Sequence, residues 1–192
     1  MSRVIRSLIV MLLASAATAR AQTPEDGLAL VYGVSAGPAR RTVDGTFTAG
    51  ALPSGASAPA GDRTVATFGL QVGTRLNRHV ALLATWDQGF GGNTGTPRWG
   101  TSDVHAVGRV WLGRAWAQAG GGLANLGYKP TTGPGIDVTR YWGPGLQAAV
   151  GVDVAKTRRV QLTVAGRVTR ATFDGLTITR FGFEVGLFSR VR

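Results

Sequence analysis

The chain has 192 residues, the length of one domain, and 21 basic against 10 acidic residues, a formal net charge of +11. It has no cysteine, which excludes disulfides, zinc–thiolate centres, iron–sulfur clusters and a cysteine nucleophile, and two histidines leave little for a histidine-based metal site. Because the basic residues are scattered along the chain and no nucleic-acid-binding motif accompanies them, we expect no nucleic-acid partner.

The N-terminal segment has the pattern of a secretory signal peptide. Arginines precede a short apolar run at 8–14, and an A-x-A cleavage site ends at Ala21. The apolar run is much shorter than the roughly 20 residues of a membrane-spanning helix. We therefore predict an exported protein with a signal peptide at 1–21 and a single mature domain at 22–192.

The mature sequence alternates between apolar residues and small or polar residues in eight segments. This period is typical of β-strands with two unlike faces. A chain with 29 glycines and 16% charged residues also favours an all-β protein. In chain order, the predicted strands of about ten residues cover 28–37, 66–75, 80–88, 102–112, 115–125, 146–154, 160–169 and 180–187.

The connections between these strands alternate in length. A barrel of the outer-membrane type has short periplasmic turns and longer external loops, and an even strand count places both termini in the periplasm. The last predicted turn is the exception to this order. Short turns are predicted at 76–79, 113–114, 155–158 and 172–175, and long loops at 38–63, 89–101 and 126–140.

Alternation alone does not say which face lines the barrel. A soluble barrel buries its apolar face, whereas a membrane barrel turns that face toward lipid. The polar face here is rich in small residues, and two lysines and two glutamates in the whole chain are too few for a solvated face. Aromatic residues near strand ends favour two interfacial girdles. The predicted girdle comprises Trp86, Trp99, Trp111, Trp116, Tyr141 and Trp142.

Three segments carry a resemblance to a known family. The segments AQAGGGL at 117–123, GLQAAVGVD at 145–153 and FGFEVGLF at 181–188 are similar to strands of the small eight-stranded outer-membrane barrels, the OmpA-type transmembrane domain and its OmpX- and OmpW-like relatives. The motifs are loose patterns, but the architecture matches along the whole mature chain. The resemblance implies an eight-stranded antiparallel up-and-down transmembrane β-barrel in the outer membrane of a Gram-negative-type bacterium.

The same resemblance implies the partners of the chain. These are outer-membrane lipid, including lipopolysaccharide, and the barrel-assembly machinery, and we expect a monomer. Arginine suits bidentate contacts with phosphate. Basic residues predicted at the outer rim could make such contacts or simply form a solvated loop surface. They are Arg40, Arg41, Arg63, Arg98, Lys129 and Arg140.

Charged residues on the polar face would point into a narrow lumen, where they must be paired or hydrated. We expect Glu184 and Arg167 on neighbouring strands to pair. Such charges can form a plug of ion pairs and water, or a gate in a narrow passage, and an eight-stranded barrel favours the plug because it leaves no standing channel. The predicted lumen cluster comprises Arg75, His105, Arg109, Asp153, Arg167 and Glu184.

We do not expect an enzyme. His79 lies in a predicted turn without a nearby serine, and Ser102 faces the opposite side of its strand from His105. A rim enzyme acting on lipids would need the fold to bring a serine or aspartate to His105. The glycines at 120–122 are not a phosphate loop, because neither lysine nor helix follows them. We predict no catalytic residue, no cofactor and no metal.

These observations predict an outer-membrane barrel with a structural or surface-interaction role, with a narrow gated passage for small solutes as a variant. The alternative is a soluble periplasmic, lipocalin-like barrel that binds an apolar ligand. In that protein, Phe68, Leu70, Phe181 and Phe183 would line a dry interior.

Overall fold

The computed structural model describes residues 29–47, 63–90, 98–129, 139–157 and 160–191. Consecutive strands pair antiparallel and the last closes on the first, so the predicted all-β, eight-stranded up-and-down barrel is confirmed. The predicted signal peptide lies outside the described residues. In the segments that the structure describes, no helix is long and apolar enough to cross a membrane. The strands are β1 (Ala29–Gly45), β2 (Arg63–Arg75), β3 (Val80–Phe90), β4 (Arg98–Leu112), β5 (Ala115–Lys129), β6 (Thr139–Lys156), β7 (Val160–Phe173) and β8 (Leu176–Val191).

The pairing registers fix how far the strands are staggered. Stepping from Thr42 of β1 across β8, β7 and each further strand to its direct partner leads back to β1 at Tyr32, a shift of 42 − 32 = 10 residues. Such a stagger tilts the strands by roughly 35–45° from the barrel axis. Side chains of strands that are not neighbours can meet across so narrow a lumen, and the stagger determines which of them do.

The two ends of the barrel differ. The turn end carries the start of β1, the end of β8 and the connections after β2, β4 and β6. The loop end carries the connections after β1, β3 and β5 together with a tight turn at Asp174 and Gly175, which both have positive φ (42° and 86°). This tight turn is the short connection that the sequence places among the longer loops.

The strands extend further toward the loop end than predicted. Parts of the three predicted long loops are strand, so the connections shrink to 46–62, 91–97 and 130–138. Pro38 made β1 seem to end early. It is tolerated because the β1–β8 ladder passes from Ala36–Val185 to Ala39–Gly182 and needs no amide from Pro38.

The apolar face of most of the barrel points outward. Phe183 is 62% exposed and Leu146 is 64% exposed, whereas the alternate residues on the same strands are buried. Phe68, Leu70 and Phe181 also lie on the outside, so the expectation that they line a dry interior is wrong. We call this apolar outer surface the lipid-type band.

The polarity reverses near the loop end. There, outward positions carry Thr42, Asp44, Arg170 and Thr172, while the inward positions of the same strand ends are apolar. We call this part of the barrel the loop-end extension. Its inward residues form one cluster of Trp99, Ala124, Leu126, Tyr128, Ala171, Phe173, Leu176 and Ile178.

Candidate functional site

The lumen is the part of the barrel where chemically active side chains collect. Two apolar clusters close its ends, and a belt of buried polar and charged residues lies between them. The loop-end cluster is the one defined above. The turn-end cluster comprises Val31, Ala81, Leu83, Val107, Trp111, Trp116, Ala149, Ala165 and Phe188.

An ion-pair network forms the centre of the belt. Arg167 of β7 pairs with Asp87 of β3 and donates from Nη2 to Glu184 Oε1 of β8 at 2.7 Å. The second oxygen of Glu184 accepts a hydrogen bond from Ser35 Oγ at 3.0 Å. One guanidinium thus links strands on opposite sides of the lumen. Buried charges are stable only when paired and hydrogen-bonded, and these contacts pair the three charges across the lumen.

A second arginine lies nearer the loop end. Arg180 of β8 pairs with Asp103 of β4 and donates to Thr101 Oγ1 at 2.8 Å and Thr169 Oγ1 at 3.0 Å. The side chain of Arg41 is buried at the adjacent position of β1, directly opposite Arg180. The belt therefore reaches to just below the loop-end cluster.

Arg109 is held differently, at the turn end of the belt. Its guanidinium carbon lies 4.1 Å from the ring centre of Trp116, 4.6 Å from Phe188 and 5.5 Å from Trp111. Its Nε donates to Gln118 Oε1 at 2.9 Å and its Nη2 to Gln71 Oε1 at 2.6 Å. The aromatic faces attract the cation while the amides satisfy its hydrogen bonds, so Arg109 joins the polar belt to the turn-end cluster.

A cavity of about 20 Å³ lies beside Asp87, Arg167, Arg180 and Glu184. That volume holds a water molecule or two. Asp87 Oδ2 and Arg167 Nε are buried without a hydrogen-bond partner among the described residues, which suits a hydrated cavity. Ion pairs, hydrogen bonds and this small hydrated cavity thus occupy the centre of the belt.

The structure places five of the six predicted lumen residues inside the barrel, namely His105, Arg109, Asp153, Arg167 and Glu184. The expected pair of Glu184 and Arg167 is present. Arg75 has the inward parity of β2, directly opposite the buried residues Ala29 and Ala81, but stands at the mouth of the barrel. It lies at the turn end, donates to the carbonyls of Asn77 and Arg78, and covers the ring of Trp111 at 4.7 Å.

Sequence reasoning missed four charged residues of the belt. They are Arg41, Asp87, Asp103 and Arg180. A signal for two of them existed, because Asp103 lies two residues from His105 and Arg180 four residues from Glu184, so each pair shares a face of its strand. Asp87 is different, since its partner Arg167 belongs to a strand that is not its neighbour.

The aromatic girdle was largely predicted wrongly. Trp99, Trp111 and Trp116 are buried inside the barrel as members of the two apolar clusters. Tyr141 also packs in the loop-end mouth, with its ring centre 4.9 Å from that of Phe47. The reason is parity along the strand, which decides the face that a residue occupies, whereas position near a strand end does not.

Two of the predicted girdle residues do lie on the outer surface. Trp142 is exposed at the loop end. Trp86 packs edge-on against Phe68 and donates from Nε1 to Ser102 Oγ at 2.8 Å. Since Ser102 is engaged on the outside while His105 lies in the lumen, this pair forms no catalytic dyad. Within the described residues, no three acidic or histidine side chains could hold a metal ion.

The predicted basic rim is divided by the structure. Arg40 and Arg140 are exposed at the loop end and Arg63 is half-buried. Arg41 points into the lumen, so its prediction as an outer-rim residue is wrong. The side chains of Arg98 and Lys129 lie outside the described residues.

Solved structures share this fold, and two of them are similar over most of the chain. Neisserial surface protein A covers 83% of this chain and 97% of its own, with a TM-score of 0.57 and 12% identity. Ail, the attachment invasion locus protein of Yersinia pestis, solved in complex with the heparin analogue sucrose octasulfate, covers 84% and 99%, with a TM-score of 0.56 and 11% identity. No protein-family profile and no curated sequence matches the chain. The chain has the fold of the small eight-stranded outer-membrane barrels.

Proposed function

We propose that this protein is an integral outer-membrane barrel of a Gram-negative-type bacterium that works as a closed anchor for a surface-interaction region. The observation that carries the proposal is the inverted polarity of the lipid-type band. Large apolar side chains such as Leu146, Val150 and Phe183 cover its outside, and charged residues fill its inside. In water such a surface is an aggregation liability, whereas in a bilayer it is buried.

The closed lumen favours an anchor over a passage. Opening it would require moving both apolar clusters and separating Arg167 from Asp87 and Glu184. Breaking a buried ion pair leaves uncompensated charge and costs about 3–5 kcal/mol. A gated passage for small solutes is therefore an outcome to test, and we expect none in the resting protein.

The loop-end surface is the interaction region in this proposal. Arg40, Arg140 and Arg170 are exposed there, beyond the edge of the lipid-type band. Guanidinium groups at this height suit the phosphates of lipopolysaccharide. Ail, a protein of the same fold, was solved with a polysulfated heparin analogue, which makes polyanion binding compatible with this architecture.

Assembly follows from the same architecture. Each described strand pairs on both sides, so the barrel has no exposed strand edge at which a second copy could add. We therefore propose a monomer that is inserted by the barrel-assembly machinery.

The first test uses the mature chain, residues 22–192, refolded in detergent and run on a gel with and without boiling. We expect the unboiled band to migrate faster because the closed barrel resists the gel detergent. A chain that stays folded in buffer without detergent and shows no shift would contradict the proposed membrane location.

The second test separates the anchor from the passage. The refolded barrel is placed in liposomes loaded with a small fluorescent solute, and protein-free liposomes are the control. We expect equal leakage from the two. Faster leakage from the protein-containing vesicles would contradict a closed anchor and favour the gated passage.

A further inference from the structure

The turn end carries positive charge without any negative charge in its connections. The segments 75–79, 113–114, 155–159 and 189–192 contain no aspartate or glutamate. Connections at the loop end are mixed, because Asp44, Asp62, Asp137 and Asp174 lie in or beside them. The basic residues of the turn-end segments are Arg75, Arg78, Arg114, Lys156, Arg158, Arg159, Arg190 and Arg192.

Three of these side chains are described and exposed, one on each short turn. They are Arg78, Arg114 and Lys156, and we call them the basic ring. Because the three turns follow β2, β4 and β6, the ring spans about half of the circumference of the barrel. Arg75 does not belong to it, since its side chain is half-buried against the ring of Trp111, whereas Arg78 is exposed and donates only from Nε to His79 Nε2 at 2.9 Å.

The turns that carry the ring are braced. Asn77 Oδ1 accepts hydrogen bonds from the amides of His79 at 2.7 Å and Val80 at 2.9 Å. The carbonyl of Arg114 accepts from the amide of Asp153 on the next strand at 2.9 Å. Because these turns are short and hydrogen-bonded, they cannot extend further into the periplasm. Their charged side chains therefore stay at the rim of the barrel.

Exposed apolar side chains stand directly beside the ring. Leu112, two residues before Arg114, is 78% exposed, and Val154, two residues before Lys156, is 47% exposed. Leu76 on the first turn is 39% exposed. In a bilayer these residues lie in the outermost acyl region, which places the neighbouring cations at the height of the lipid phosphates.

We propose that the basic ring binds the headgroups of anionic phospholipids, such as phosphatidylglycerol, in the leaflet that faces the periplasm. This inference rests on the proposed membrane location. Basic residues near a membrane surface attract anionic lipid, and the attraction falls off within a Debye length. The exposed apolar residues beside the ring, Leu76, Leu112 and Val154, favour a lipid phosphate over a cell-wall carboxylate. Glu25 and Asp26 precede β1 at this end, outside the described residues, so the test uses the complete mature chain.

The experiment places the ¹⁵N-labelled mature chain in phosphatidylcholine nanodiscs that contain a minor amount of spin-labelled lipid. The label sits on the acyl chain next to the headgroup, and the lipid is either phosphatidylglycerol or phosphatidylcholine. Paramagnetic broadening is read at the amide of Gly113 in a turn-end connection and at Gly175 in the loop-end tight turn. We expect labelled phosphatidylglycerol to broaden Gly113 at least about twofold more than labelled phosphatidylcholine.

Two matched triple variants locate the preference. In R78Q/R114Q/K156Q, the ratio of the two broadenings at Gly113 should fall to about one, because the attracting charges are gone. In R40Q/R140Q/R170Q, which removes the same number of charges from the loop end, the ratio at Gly113 should stay as in the unmodified chain.

The outcomes are separable. If labelled phosphatidylglycerol and labelled phosphatidylcholine broaden Gly113 equally in the unmodified chain, a ratio of one, the inference is overturned. It is also overturned if the stronger broadening by phosphatidylglycerol persists in R78Q/R114Q/K156Q. A ratio of one together with shifts of Gly113 on adding a soluble peptidoglycan stem peptide overturns it too, and assigns the surface to cell-wall carboxylates. If neither lipid broadens either glycine, the chain is not in the bilayer and the proposed function itself has failed.

Discussion

The lipid-type band and the loop-end extension are built from the same strands with opposite polarity. On β7, Arg167 points inward and Val168 outward in the band, whereas Phe173 points inward and Thr172 outward in the extension. The strand keeps its alternation throughout, and only the chemistry of the two faces is exchanged. The extension thus has the polarity of a water-soluble barrel joined to one that suits lipid.

The difference fits a wall that is surrounded by lipid at the band, as proposed above, and by water at the extension. Where lipid surrounds the wall, apolar residues face out and the crowded lumen must satisfy its polar groups internally. Where water surrounds it, the usual hydrophobic effect returns and apolar residues face in. In the proposed membrane location, the height at which polarity reverses marks the outer boundary of the lipid.

The comparison is tested most strongly by removing a charge from each region of one strand. Arg167→Met should lower the free energy of unfolding by about 3–5 kcal/mol, because Asp87 and Glu184 lose their shared cation inside the band. Arg170→Met, three residues away on the outer face, should change it by less than about 0.5 kcal/mol. Urea unfolding of the barrel in lipid vesicles measures both. Similar losses for the two variants would mean that the interior ion pairs are not the stabilising contacts of the band.

A second test adds a charge to the outer face of each region. Val150→Arg places a cation at a lipid-facing position that is 64% exposed, and should cost about 2–4 kcal/mol. Thr172→Arg, outward in the extension, should cost less than about 1 kcal/mol, since its surroundings are aqueous. The same unfolding measurement applies. If both arginines are tolerated equally, the reversal of polarity does not mark the edge of the membrane.

Much of this arrangement could be predicted from alternation, and the failures have physical causes. The pair of Arg167 and Glu184 was predicted because the two residues share a face of adjacent strands. The contact of Arg167 with Asp87 on β3 could not be predicted, since contacts across a lumen depend on the stagger of the closed barrel. Trp111 was assigned to the wrong face although Arg109, two residues away, was assigned to the right one. The prediction for Trp111 rested on its closeness to the strand end, whereas its parity places it on the inner face with Arg109.

At the turn-end cluster both faces of the barrel wall are apolar. Polarity therefore cannot decide which side chains face inward there, and close packing must do so. Gly151 makes room for the indole of Trp116, since a Cβ at this glycine would lie 2.6 Å from Cε2 of the ring and 2.8 Å from the carbonyl oxygen of Val164. Gly151→Ala should therefore cost about 1–3 kcal/mol through overpacking. Gly166→Ala is the matched control, because a Cβ at Gly166 meets no atom within 4 Å. Urea unfolding compares the two, and Trp fluorescence reports whether the ring has moved. If Gly151→Ala unfolds like the control, the cluster is loosely packed and the turn end is not a rigid plug. The expected loss instead makes this end a plug held by fit, beneath a belt held by charge.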